Sequence, residues 1–95
     1  MNFEIMFIVR SDIEENAVKE TVATFEKVLS DNGAKVTETK SLGQKEFAYV
    51  MNGHKSGYYY LTHATVNDIK AVNEFNRLAQ INENIVRHIC INLDK

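Results

Sequence analysis

The side chains that could carry chemistry in this 95-residue chain are three histidines, His54, His63 and His88, and one cysteine, Cys90. The histidines have no metal-ligand spacing. No HExxH or CxxC pair, phosphate loop or GxGxxG fingerprint occurs, so neither a metal nor a cofactor is expected. Cys90 lies in the apolar run HICI, where burial raises a thiol pKa and suppresses the thiolate; it reads as a small strand residue. One cysteine also cannot close an internal disulfide.

A second candidate chemistry is base stacking. The stretch SGYYYLTH approaches the third-strand pattern of RNA-recognition motifs, in which a cation, a glycine and alternating aromatics present rings to bases. It supplies Gly57, Tyr58, Tyr60 and Leu61. It lacks the leading cation, has Tyr59 at the small position and His63 at the final aromatic. The net charge of −2 also argues against tight nucleic-acid binding by this chain alone, because such binders gain affinity from counterion release. A basic companion or a few well-placed cations would be required.

The elements that must position these residues follow from periodicity. FEIMFIVR is nearly continuous apolar sequence with three β-branched residues and predicts a central strand. SDIEE pairs Ser11 with Glu14 as a capping box, so a helix is expected to start near Asp12. Val18, Val22, Phe25 and Leu29 form its apolar stripe, and Asn32 with Gly33 ends it. Residues 35–52 predict one long strand bent at Gly43, its polar first half suited to a sheet edge. Phe47, Tyr49 and Met51 share one face there, and NGHKSG makes the hairpin loop. GYYYLTHATV is the third strand. A helix capped by Asn67 or Asp68 follows, with Ile69, Val72, Phe75 and Leu78 recurring every three residues. NIVRHICINL is the fourth strand.

The order β-α-β-β-α-β predicts an α+β, ferredoxin-like split β-α-β fold over residues 1–95 as a single domain. Its four-stranded antiparallel sheet carries both helices on one face. Alternation places Phe3, Ile5, Phe7 and Val9 under the helices, with Tyr58, Tyr60, Thr62, Ala64 and Val66. The opposite parity leaves Met6, Ile8, Tyr59 and Leu61 as an apolar face without cover, bordered by Arg10. The fourth strand is ambiguous: Ile85, Arg87, Ile89 and Ile91 share one parity, Val86, His88 and Cys90 the other, and a bulge would switch them. An enzyme of this topology would be expected to show convergent nucleophile, base and anion-binding groups; the acylphosphatase family, for instance, uses a glycine-rich anion loop with an arginine near the end of the first strand. Arg10 is all of that pattern here, and no catalytic residues are assigned. No run reaches the ~18 apolar residues of a membrane span, and MNFEIMFIVR lacks the features of a secretory signal. A soluble, intracellular chain is expected.

The segment GQKEFAYVMN, residues 43–52, is similar to the signature of the bacterial small-subunit ribosomal protein six family: glycine, any, basic, polar, leucine, small, tyrosine, any, isoleucine. Phe47 replaces the leucine, Met51 the isoleucine, and Glu46 stands where many members carry a second cation. FEIMFIVRSDIEE and NRLAQINENIVRHICI resemble other parts of the same family, so the likeness spans the chain. It implies a cytoplasmic, ribosome-bound structural component of the 30S subunit. That component would bind the central domain of 16S ribosomal RNA as a heterodimer with the basic small-subunit ribosomal protein eighteen, with no small-molecule substrate. Carried onto this chain, it implies RNA contact by Lys45, Lys55 and Arg87, with Tyr59 a further candidate. Met6, Ile8, Leu61, Ile89 and Ile91 are the expected protein-partner face. The other readings are a free-standing single-stranded RNA binder and, less favoured, a small ferredoxin-like enzyme.

Overall fold

The computed structural model describes residues 1–51 and 53–94. Among them the elements run β1 (Asn2–Arg10), α1 (Glu15–Asp31), β2 (Ala34–Met51), β3 (His54–Val66), α2 (Lys70–Ile81) and β4 (Ile85–Asn92). They form one antiparallel sheet in the order β2-β3-β1-β4, the ferredoxin-like arrangement expected. The apolar β1 is central, and the polar start of β2 is an edge.

Both helices lie on the sheet face formed by Phe3, Ile5, Phe7 and Val9. The core joins these residues to Val18, Val22, Phe25 and Leu29 of α1 and to Ala71, Val72, Phe75 and Ala79 of α2. Phe7 is its hub: its ring centroid lies 6.2 Å from Phe25, 5.9 Å from Phe75 and 5.6 Å from Tyr60, which stacks on it. Tyr58 and Tyr60 thus pack against the core, as alternation predicts.

Three local expectations are corrected. Helix α1 begins at Glu15 rather than near Asp12, and no side chain caps it. The expected capping box does not form: Glu14 is itself the residue before the first helical turn, and the Ser11 hydroxyl is turned to β3. The Ser11 hydroxyl lies 2.7 Å from that of Ser56, and Asp12 accepts two bonds from Arg10, from Nε at 2.6 Å and Nη2 at 2.8 Å. The hairpin is also tighter than NGHKSG implied: residues 54–57 already belong to β3, with Met51 opposite His54. The expected loop residue Asn52, and the Met51 side chain, lie outside the described residues. In α2, Ile69 precedes the helix and is exposed rather than part of its buried stripe. Asp68 does serve the start of α2, its Oδ1 accepting the Lys70 N–H at 3.1 Å.

Two irregularities position the rest. Gly43 has φ +84° at a register shift of β2 against β3, the bend expected of an interior strand glycine. In β4 a bulge falls where Ile8 faces Arg87 but Val9 faces Ile85. It resolves the ambiguity of the fourth strand. Ile85 joins the core under the helices, while Arg87, Ile89 and Ile91 alternate onto the opposite face.

Candidate functional site

The sheet face away from the helices is built in cross-strand rows. Ile8 lies between Tyr59 and Arg87, Met6 between Leu61 and Ile89, and Glu4 between His63 and Ile91. All five expected partner-face residues therefore occupy one surface, together with Tyr59 and Arg87. Ile89 and Ile91 are 47% and 46% exposed. Met6, Ile8, Tyr59, Arg87 and Ile89 also line a shallow depression.

Ile8 is covered although no helix reaches it, being only 3% exposed. The cover comes from the hairpin. Gly57 leaves a gap on this face: a Cβ there would stand 2.5 Å from Ile8 Cγ2, 3.0 Å from the Val9 carbonyl oxygen and 3.1 Å from Phe47 Cζ. With no Cβ in the way, Phe47 leans over the sheet, its ring edge-on to Tyr59 at 6.2 Å between centroids. Lys45, opposite Gly57 in register, brings Nζ 5.6 Å from the centre of the Tyr59 ring. Phe47, Gly57 and the Lys45–Tyr59 pair were not legible from the sequence, because the bend at Gly43 conceals which β2 residues face this side.

The ends of the face differ in charge. At one end His63 lies 3.7 Å from Glu4 and 3.6 Å from Glu38, which also pairs with Lys40 at 3.6 Å. At the other, Arg10 is held by Asp12 in a bidentate pair. That hydrogen bond lowers the Asp12 carboxyl to about 2 and raises the guanidinium pKa. Arg10 therefore borders the face as an already paired cation.

Lys45 and Arg87 flank this surface on its opposite edge strands, β2 and β4, and Lys55 lies further out on the exposed hairpin. The structure does not bring Lys55 onto the sheet face. It places it instead in a second depression with Phe47, Tyr49, Val50 and Ser56. Cys90 is turned toward the helices, donating to Asn76 Oδ1 at 3.4 Å, and burial raises its thiol to about 11. A protonated thiol in that setting is a packing group.

A surface with an apolar centre, one π-bound lysine and separate cations at its margins suits association with macromolecules. The sequence profile of one family, described as ribosomal protein S6, matches residues 2–92. The chain belongs to the ribosomal protein S6 family. The crystal structure of 30S ribosomal protein S6 from Thermotoga maritima is similar in fold, with a TM-score of 0.91 over 98% of this chain and 88% of that chain, at 19% identity. Membership in the ribosomal protein S6 family makes the chain a ribosomal structural protein associated with ribosomal RNA, a class that is not enzymatic. Among the described residues no helix is long and apolar enough to cross a membrane.

Proposed function

We propose that this chain, as one domain over residues 1–95, binds the central domain of 16S ribosomal RNA in the cytoplasmic 30S subunit as a heterodimer with small-subunit ribosomal protein eighteen. The observation that carries this reading is the uncovered apolar sheet face with cations at its margins. Met6, Leu61, Ile89 and Ile91 take the protein partner directly, and Ile8, expected to do so as well, supports them from below because the hairpin covers it. Lys45, Lys55 and Arg87 neutralise phosphates, and Tyr59 lies where either partner can reach it. The net charge of −2 supports the division of labour, since a basic partner supplies cations that this chain lacks.

The experiment is RNA binding by this chain with and without the basic protein, over a series of salt concentrations. The isolated chain should bind the central-domain RNA weakly, and the pair strongly with a steep salt dependence. Equal affinity in both cases would remove the heterodimer from the proposal. A free-standing single-stranded RNA binder of the recognition-motif type is disfavoured, because Tyr58 and Tyr60 lie on the helix side of the sheet, Tyr60 stacked on Phe7, and not on the open face where stacking residues must point.

A further inference from the structure

Tyr49 is 80% exposed, the highest value among the exposed large hydrophobic residues. Alternation gave it the same face as Phe47, yet the two differ for a structural reason. The pairing of β1 with β3 ends at Arg10 and Gly57, while β2 and β3 continue beyond it as a two-stranded hairpin. Phe47 can still reach back over Gly57, whereas Tyr49 has no third strand beneath it. Among the described residues no side-chain hydrogen bond or ring contact engages Tyr49.

A single exposed ring is ordinary on a protein surface, so it is the surroundings of Tyr49 that single it out. Tyr49 lines one depression with Glu46, Phe47, Val50, Ser56 and Lys55. The surrounding segment is also the basic part of an acidic chain. Residues 40–60 carry three lysines and one glutamate, a net of +2, while the rest carries eight basic and twelve acidic residues. An aromatic plane beside a lysine, on a hairpin that reverses the sign of the chain's charge, matches single-stranded nucleic acid better than an apolar protein segment.

We propose that Tyr49 stacks on an unpaired base of RNA while Lys55 holds the adjacent phosphate. This rests on the RNA-binding reading above and adds to it a stacking residue and a strand type. It differs from the recognition-motif geometry, because the ring lies on a projecting hairpin and not on the sheet.

The test titrates the full chain at low salt with a short oligoadenylate RNA and, separately, with an RNA duplex, following tyrosine ring resonances assigned with Tyr49→Phe. Oligoadenylate should shift the Tyr49 ring signals upfield, and the duplex should leave them in place. Tyr49→Phe should bind oligoadenylate like the parent, and Tyr49→Leu about tenfold more weakly, within the range of base–aromatic stacking. Lys55→Ala should weaken both RNAs. Absence of the ring shift, or unchanged affinity for Tyr49→Leu, overturns the stacking proposal. If Lys55→Ala still weakens binding in that event, the phosphate contact survives without it; if neither variant matters, both fall. Loss of capture of the basic protein by Tyr49→Leu, with RNA affinity intact, would make the depression a protein site and also overturn the proposal.

Discussion

Lys45 holds its ammonium 5.6 Å from the centre of the Tyr59 ring, on the sheet face that the helices leave open. The contact orients the lysine over the sheet rather than into solvent, while its charge remains available to a phosphate. An exposed cation–π pair contributes about 0.5–1 kcal/mol at most. Lys45→Ala should therefore change unfolding free energy by no more than that, while lowering the salt dependence of heterodimer–RNA binding by about one counterion. Urea melts and a salt series on the same variant check both. An unchanged salt slope would leave Lys45 a merely structural lysine.

Gly57 should tolerate no side chain. Two of the atoms that a Cβ would meet can shift only by uncovering Ile8 or moving Phe47, and the third is a backbone carbonyl in the centre of the sheet. Gly57→Ala is expected to cost about 1–3 kcal/mol through overpacking. A Phe47→Ala background should recover part of that loss, because it frees one of the three contacts. A Gly57→Ala variant with the parent's urea midpoint would show that the face accommodates a methyl group and that Phe47 does not depend on the gap.

Much of this fold is legible because its signals are local and periodic. The unbroken apolar run of β1 and the four-three-four stripe of α1 each point to one element, and the alternation in β3 separates Tyr60 from Tyr59. What escapes is set by long-range geometry. The capping box at Ser11 and Glu14 is a valid local pattern, but the Ser11 hydroxyl is taken by Ser56, a partner 45 residues away in the chain. The register of β4 depends on one bulge between Ile85 and Arg87, which no periodicity can locate. The candidate site divides in the same way. Parity places Met6, Ile8, Tyr59 and Leu61 together, whereas the cover supplied by Phe47 requires knowing that Gly43 bends β2 and that Gly57 opens a gap.

Acid should weaken the Arg10–Asp12 pair in a defined window. The folded-state carboxyl pKa, about 2, lies below its ordinary value because it accepts the Arg10 hydrogen bonds. The pair's contribution is thus present above about pH 4, where the unfolded carboxyl also ionises, and is lost as pH falls through the folded value. Asp12→Asn should lower the melting temperature slightly at neutral pH, and the difference from the parent should vanish toward pH ~2. A difference that persists in strong acid would assign the effect to something other than this charge.

His88 should act in the opposite pH direction from a paired histidine. Burial lowers its pKa, and its Nδ1 is buried without a hydrogen-bond partner among the described residues. The unfolded chain then takes up the proton first, so acidification from about pH 6.5 favours unfolding until the folded ring also protonates. His88→Leu should remove that slope and raise stability at neutral pH by up to about 1 kcal/mol, since the unpartnered nitrogen disappears. Parallel urea melts across that interval test the sign. A histidine form that became relatively more stable with acid would mean that the ring is paired when protonated.

The strongest separation of folding from association should come at Ile89. Its side chain lies beside Met6 on the open face, half exposed, and outside the core beneath the helices. An aspartate there keeps water on one side, so the isolated domain should lose only about 0.5–1 kcal/mol, near the limit for a surface substitution. If ribosomal protein eighteen covers this face, however, Ile89→Asp buries an unpaired carboxylate at the centre of the interface. A penalty of several kcal/mol is expected there, or at least about a hundredfold loss of heterodimer affinity. Calorimetric titration of the partner into Ile89→Asp, beside a thermal melt of the variant alone, measures the two quantities separately. Wild-type affinity with an intact fold would place the partner elsewhere, whereas the charge-neutral Ile89→Leu should bind and melt like the parent in either case.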